Sequence, residues 1–231
     1  MRLQLYQGLL YIAVLCYLFT ACSSQEVSTT TAASPNPLRY LLFGSPHQGS
    51  KQSDTLSTQE YKQLQHGDIL LRKGFGTISD YIADFLNEKY PVTHCGFVLQ
   101  QSGDYNVLHC ISEDTIDGLI IEPLTDYIQG SRQNSLVAIR LTDTTYLSTA
   151  LRQAQQLRYQ NIPFDMRFDD YNSEALYCVE MMRDVLNQSY QKDFFPKRTQ
   201  KQGLDVLSLS NFFDTANFSI IFNHFDTLSI K

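Results

Sequence analysis

Basic runs are missing from this chain. Its 18 Lys and Arg are outnumbered by 24 Asp and Glu, for a formal charge of −6, and no basic run is longer than Lys197-Arg198. Binding to nucleic acid rests on neutralising phosphates, so nucleic acid is excluded as a partner class. Cysteines are few. Of the five, Cys16 and Cys22 lie near the N-terminus, which leaves Cys95, Cys110 and Cys178 for the body of the chain. Three cysteines cannot all pair among themselves, so a disulfide scaffold is excluded and at least one thiol stays free. Internal repeats are absent. The most apolar run, Leu9 to Phe19, falls short of the roughly 20 residues a membrane-spanning helix needs.

What is present begins with an export signal. Arg2 is the only charge in Met1 to Ala21, an apolar stretch follows, and small residues stand before Cys22. Leu18 to Cys22 resembles a bacterial lipobox, with Phe19 where Leu is usual. The resemblance implies cleavage after Ala21 and a lipidated Cys22, and hence an exported protein anchored to an envelope membrane, the outer membrane preferred. The alternative is a plain secreted protein cut at the same place. Residues 22–37, rich in Ser, Thr and Pro, have too little apolar surface to offset ordering and read as a flexible tether. Residues 38–231 make one domain, expected to act as a monomer.

Within that domain, apolar spacing predicts helices over Thr77 to Glu88, Thr144 to Gln160 and from Cys178 onward. Thr77 with Asp80 has the spacing of a capping box. Strands are predicted at Asp68 to Arg72, Val92 to Gln100, Asn106 to Ser112, Leu119 to Glu122 and Leu136 to Leu141, with a short helix near Thr125 to Gln129 and a final strand in the tail, Asp205 to Phe225, where Phe218, Ile220 and Phe222 alternate. Lys192 to Gly203 reads as loop. The sum is an α+β domain: an antiparallel sheet, or a partly open barrel, packed against helices.

Cys178 is the residue around which chemistry gathers. It opens an apolar stripe with Met181, Met182, Val185 and Leu186, behind an acidic loop containing Asp165, Asp169 and Asp170. Backbone N–H groups and the positive dipole end at a helix start favour thiolate. A buried core cysteine is the alternative. Upstream, His94 and His109 each precede a cysteine in strands expected to form a hairpin. Alternation sends His94 and Cys95 to opposite faces, as it does His109 and Cys110. If the histidines share a face, one can serve as base for a thiol on a helix docked against that face, while Cys95 and Cys110 fall together in the core behind. A zinc site made of these two His-Cys pairs is disfavoured by the same alternation.

His66-Gly67-Asp68-Ile69-Leu70, Thr93-His94-Cys95-Gly96-Phe97-Val98 and Pro163-Phe164-Asp165 through Tyr177-Cys178-Val179-Glu180 together resemble the circularly permuted NlpC-type papain-like hydrolases of the YiiX/YaeF kind. The resemblance covers Leu64 to Leu186, with the histidine before the cysteine. It implies a cysteine amidase or peptidase without a cofactor or metal, with Cys178 as nucleophile and His94 as base. The third member in that family is usually a Glu on the following strand. His109 stands in its place here, as a second His does in related permuted acyltransferase-like enzymes, with Glu113 as the fallback. The implied substrate is an amide of the cell envelope, either a cell-wall peptide or an N-acyl amide. Acyl transfer or thioester hydrolysis at the same site, or a non-catalytic binding lipoprotein, are the alternatives. Tyr177, Asp68 and Glu180 read as structural.

Overall fold

A computed structural model describes residues 53–113, 116–168 and 174–226, without the side chain of Glu113. The export signal, Cys22, the tether, Asp169 and Asp170 lie outside the described residues. In chain order the elements are α1 (Thr58–Gln63), β1 (Ile69–Arg72), α2 (Thr77–Leu86), β2 (His94–Gln101), β3 (Asp104–Glu113), β4 (Ile116–Pro123), α3 (Leu124–Gln129), β5 (Val137–Leu141), α4 (Leu147–Arg158), α5 (Cys178–Tyr190), β6 (Arg198–Lys201), β7 (Leu204–Leu207), a 3₁₀ turn (Leu209–Phe213) and β8 (Phe218–Asn223). Six strands form one sheet in the order β4-β3-β2-β1-β5-β8, and every neighbouring pair is antiparallel. This is the expected α+β architecture.

Alternation along the strands gives the sheet two apolar faces. Ile69, Leu71, Cys95, Phe97, Leu99, Leu108, Cys110 and Ile139 cluster with α2, α4 and α5. Leu70, Val98, Val107 and Ala138 cluster with Leu124 and Tyr127 of α3 on the opposite face. Seven residues of α5 are buried, from Cys178 to Leu186. Each fully buried aliphatic side chain is worth about 1.5–3 kcal/mol, so packing rather than helix propensity holds this element. The β2–β3 hairpin closes through Ser102 (φ 53°) and Gly103 (φ 94°), and positive φ at both turn residues matches the twist of paired strands.

Three local expectations are corrected. Helix α2 has Gly76 at its N-cap and no side-chain cap. Asp80 is drawn outward instead, to Arg132 at 2.8 Å and Lys73 at 3.4 Å. The segment read as loop contains β6, whose polar residues gain order only by pairing with β7. Helix α1 was not anticipated, because it buries no residue; a capping box between Ser57 and Glu60 starts it.

A buried charged cluster ties three distant segments together. His224 contacts Asp54 through Nδ1 at 2.9 Å and Glu60 through Nε2 at 3.0 Å. Asp54 also accepts the backbone N–H groups of Ser135 at 2.8 Å and Leu136 at 2.9 Å. Burial disfavours all three charges, yet the two carboxylates outweigh it and hold His224 above its ordinary value. Asp54 and Glu60 lie below theirs: burial pushes up, but hydrogen bonds and the imidazolium prevail. The histidine's contribution to stability is complete below an unfolded value of about 6.5 and is lost as pH rises through its raised folded value. The carboxylates' contribution is complete above about pH 4 and is lost as pH falls through their lowered folded values. Thermal melting should therefore give a Tm plateau between about pH 4 and 6.5. His224→Gln should lower stability by about 1–3 kcal/mol and remove the decline on the alkaline side. An unchanged Tm–pH curve in that variant would count against the cluster as a clamp.

Candidate active site

Helix α5 begins abruptly. Leu176 bridges to Phe164, its N–H donating to the Pro163 carbonyl at 3.0 Å and its carbonyl accepting from Asp165 at 3.1 Å. Tyr177 is extended, and the chain turns helical at Cys178. The Cys178 residue is only 5% exposed. The neighbouring Cys95 thiol is the largest influence on Cys178; burial opposes it, backbone N–H groups of Cys95, Val179 and Cys178 itself add to it, and the net result holds the thiol below its ordinary value.

His94 is the first residue of β2 and lies opposite Arg72 of β1. It lines one cleft together with Cys178, Arg72, Thr93, Glu122 and Asp126. His109, on β3, is fully buried beside it, with His94 Nε2 and His109 Nδ1 2.7 Å apart. Glu122 Oε1, on β4, stands 2.9 Å from His109 Nε2, although the contact is not a well-aligned hydrogen bond. A lone pair on Nε2 so close to a carboxylate oxygen would be repelled, so the proton of His109 belongs on Nε2. Nδ1 of His109 then accepts from His94 Nε2–H, which leaves the lone pair of His94 on Nδ1.

Electrostatics favours neutral rings. Burial, then the Arg72 guanidinium, then His109 hold His94 well below the usual imidazole range. Burial lowers His109 as well, with Glu122 pulling the other way. Burial pushes the Glu122 carboxyl up, but His109 and Arg72 outweigh it and keep it ionised. Tyr127 floors the group, with its ring centroid 5.2 Å from His109 and 5.9 Å from His94. Arg72 lies over the same ring at 4.1 Å and donates to the Tyr127 carbonyl. Gly96, directly opposite His109, has no room for a side chain: a Cβ there would lie 2.5 Å from Val107 and 3.0 Å from His109.

The structure places Cys178 and His94 on the wall of one cleft, with His109 behind His94, but not by the route argued from alternation. The histidines face Tyr127, whereas α5 covers the face that carries Cys95 and Cys110. The helix sits there because that face is the larger apolar one. His94 still lines the cleft of Cys178 because it is the terminal residue of its strand. The same division puts both histidines on one face and both cysteines on the other, and among the described residues no group of three or more metal-ligating side chains converges. Tyr177 is buried, its hydroxyl oxygen accepting from Leu207 N–H at 3.2 Å. Asp68 receives a bidentate pair from Arg140 at 2.7 and 2.9 Å. Glu180 meets Arg183 at 3.3 Å.

Sequence reasoning missed Arg72, Glu122 and Tyr127. The one available signal was Glu122, an acid closing the apolar strand Leu119 to Ile121. Glu122→Gln should lower kcat/KM for amide cleavage by about 10–100-fold, because the wrong His109 tautomer becomes accessible. A pH–rate profile that keeps both shape and height in this variant would remove Glu122 from the relay.

A thiol at the start of a helix, a histidine pair on an antiparallel sheet and a thiol-bearing helix that follows the histidines in the chain define a papain-like architecture in permuted order. Residues 63–215 match the family model described as permuted papain-like amidase enzyme, YaeF/YiiX, C92 family, and the chain belongs to this family of cysteine amidases. The crystal structure of the metalloprotein yiiX from Escherichia coli O157:H7 has a similar fold, with a TM-score of 0.57 at 17% identity over 70% of this chain and 98% of that one. No curated protein matches the chain.

Proposed function

We propose that the chain cleaves an N-acyl amide through an acyl-enzyme on Cys178. His94 Nδ1 takes the thiol proton as the sulfur attacks the carbonyl carbon, and backbone N–H groups at the start of α5, that of Cys178 among them, receive the developing oxyanion. The same proton then goes to the leaving amine as the C–N bond breaks. Water, deprotonated by His94, attacks the thioester carbonyl and releases the acid, and the proton returns to the Cys178 sulfur. His109, backed by Glu122, keeps His94 in the tautomer that performs both transfers.

The observation that carries the choice of substrate is a second cavity that also reaches Cys178. Its walls are almost wholly apolar, with Phe85, Leu86, Val206, Leu207 and Leu209 among them. A nucleophile set between a cleft of mixed lining, which carries Arg72, Glu122 and Asp126 beside Phe75, Ile78 and Phe164, and an almost wholly apolar cavity suits a carbonyl with a polar amine on one side and a hydrocarbon chain on the other. Acetyl, octanoyl and dodecanoyl amides of one amine test this against a cell-wall peptide. Lengthening the acyl group from acetyl to octanoyl should raise kcat/KM on the order of 10²–10³-fold, with an octanoyl adduct on Cys178 seen by mass spectrometry. A flat chain-length series beside rapid peptide cleavage would replace this reading with the peptide one.

The signal-like start and the lipobox-like segment support export and a lipid on Cys22, holding the enzyme as a monomer on an envelope membrane, the outer membrane preferred. Cys22→Ser should move it from the membrane fraction to the soluble one.

A further inference from the structure

Arg72 is a buried cation on the wall of the catalytic cleft. The residue is only 7% exposed, and it lines the same cleft as Cys178 and His94. Among the described residues its guanidinium has one hydrogen bond, from Nη1 to the Tyr127 carbonyl, while Nε is buried with none. Cζ lies 4.1 Å from the centre of the Tyr127 ring, which attracts a cation but carries no charge. Among the described residues no carboxylate reaches ion-pair distance of it. Glu122 is turned to His109 Nε2 at 2.9 Å, and Asp126 is exposed at the rim. A buried charge is ordinarily paired, because leaving water is costly and a partner offsets the cost.

The guanidinium is also built into place. Gly130, just past the end of α3, gives it room: a Cβ there would collide with Nη1 and lie 3.0 Å from Cζ and 3.3 Å from Nη2. Strand register sets Arg72 directly opposite His94, so the two side chains stand on one face of the sheet, both against the Tyr127 ring. The base therefore has a fixed cation as its neighbour across the strands.

We propose, on the reading of an acyl amide cleaved at Cys178, that Arg72 binds a carboxylate one carbon from the amide nitrogen, so that the substrate is an N-acyl amino acid. His94 hands its proton to the leaving nitrogen, which places that nitrogen at the base. A group one carbon further on falls beside the residue paired with the base. A guanidinium offers a carboxylate two parallel N–H groups along one edge. The Nη1 hydrogen bond to Tyr127 leaves the edge formed by Nε and Nη2 without an acceptor among the described residues, and a carboxylate set against it supplies what the buried Nε lacks. Glu122 and Asp126, on the same cleft, oppose anions at large. Only an anion seated on the free edge of Arg72 gains from the site, which makes the position of the carboxylate as selective as its charge.

The test uses the full chain and substrates that share an octanoyl group: N-octanoylglycine, the neutral N-octanoylglycinamide and the cationic N-octanoylethylenediamine. Values of kcat/KM are taken on the plateau of each enzyme's pH profile, so that a change in His94 cancels in their ratios. The wild type should prefer octanoylglycine to octanoylglycinamide by about 10–100-fold and cleave the cationic amide most slowly. Arg72→Met should remove that preference, and Arg72→Lys should keep part of it. Gly130→Ala retains the charge but displaces the guanidinium, and should shrink the preference too. An Arg72 that serves only the fold or the base would slow all three substrates alike when replaced. No preference for the carboxylate in the wild type, or one that survives in Arg72→Met, would overturn the proposal; the wild type and Gly130→Ala decide even if Arg72→Met fails to fold. If octanoyl amides resist cleavage while a cell-wall peptide is cut, the acyl-amide reading fails instead. The same ratio, taken on that peptide with its leaving residue as free acid or as amide, then decides the role of Arg72.

Discussion

Cys178→Ala should lower amide cleavage by about 10⁵–10⁶-fold and abolish iodoacetamide labelling at that position. Among the described residues no other thiol can take the acyl group: Cys95 and Cys110 are fully buried and line neither cavity. Cys178→Ser should be nearly as inactive, since a hydroxyl is far harder to deprotonate with the weakly basic imidazole this site contains. In the wild type, the alkylation rate of Cys178 should titrate below the free-cysteine value of about 8.5, because the neighbouring Cys95 thiol, with backbone N–H groups beside it, outweighs burial. A midpoint at or above that value, with turnover surviving in Cys178→Ala, would return the chain to the binding-protein reading.

His94→Gln should reduce kcat by about 10³–10⁴-fold while leaving Tm nearly unchanged, because the ring stands at a strand end rather than in the core. The pH dependence has a definite sign. His94 acts as a base only when neutral, and burial, assisted by Arg72 and His109, holds it below the ordinary imidazole value. Activity should therefore persist as pH falls past about 6.5 and decline only lower. Arg72→Met removes the second of those influences and should move the acid limb part of the way back toward 6.5, since burial remains. An acid limb that stays in place in Arg72→Met would show that the limb does not report His94.

The long amphipathic helices and the hairpin were legible because their cause is local. Apolar spacing alone predicted α2, α4 and α5, and alternation alone sent His94 and Cys95 to opposite faces. Which face the cysteine helix would cover was not legible. Alternation sorts residues into two sets but does not say which set has the larger apolar area once six strands are aligned. Glu122 and Arg72 escaped for a related reason: each joins the histidines only through strand register, and register is a property of the assembled sheet. The pairing of β6 with β7 left no hydrophobic pattern to find. The proposed nucleophile and base, by contrast, came from motifs that resemble those of the permuted family, and Gly96 shows why one position there takes no side chain: a Cβ would collide with Val107 and crowd His109 Cβ.

The proposed nucleophile stands on a helix whose inward surface is part of the core, with Cys178, Val179, Met181, Met182, Val185 and Leu186 all enclosed. Such a segment has no private, low-energy way of coming loose. Local opening that would disarm the sulfur must expose most of the core at once, so heat should silence the enzyme and melt it over the same few degrees. Catalytic death and global collapse become a single event, and a half-life of activity can be taken directly as the lifetime of the fold.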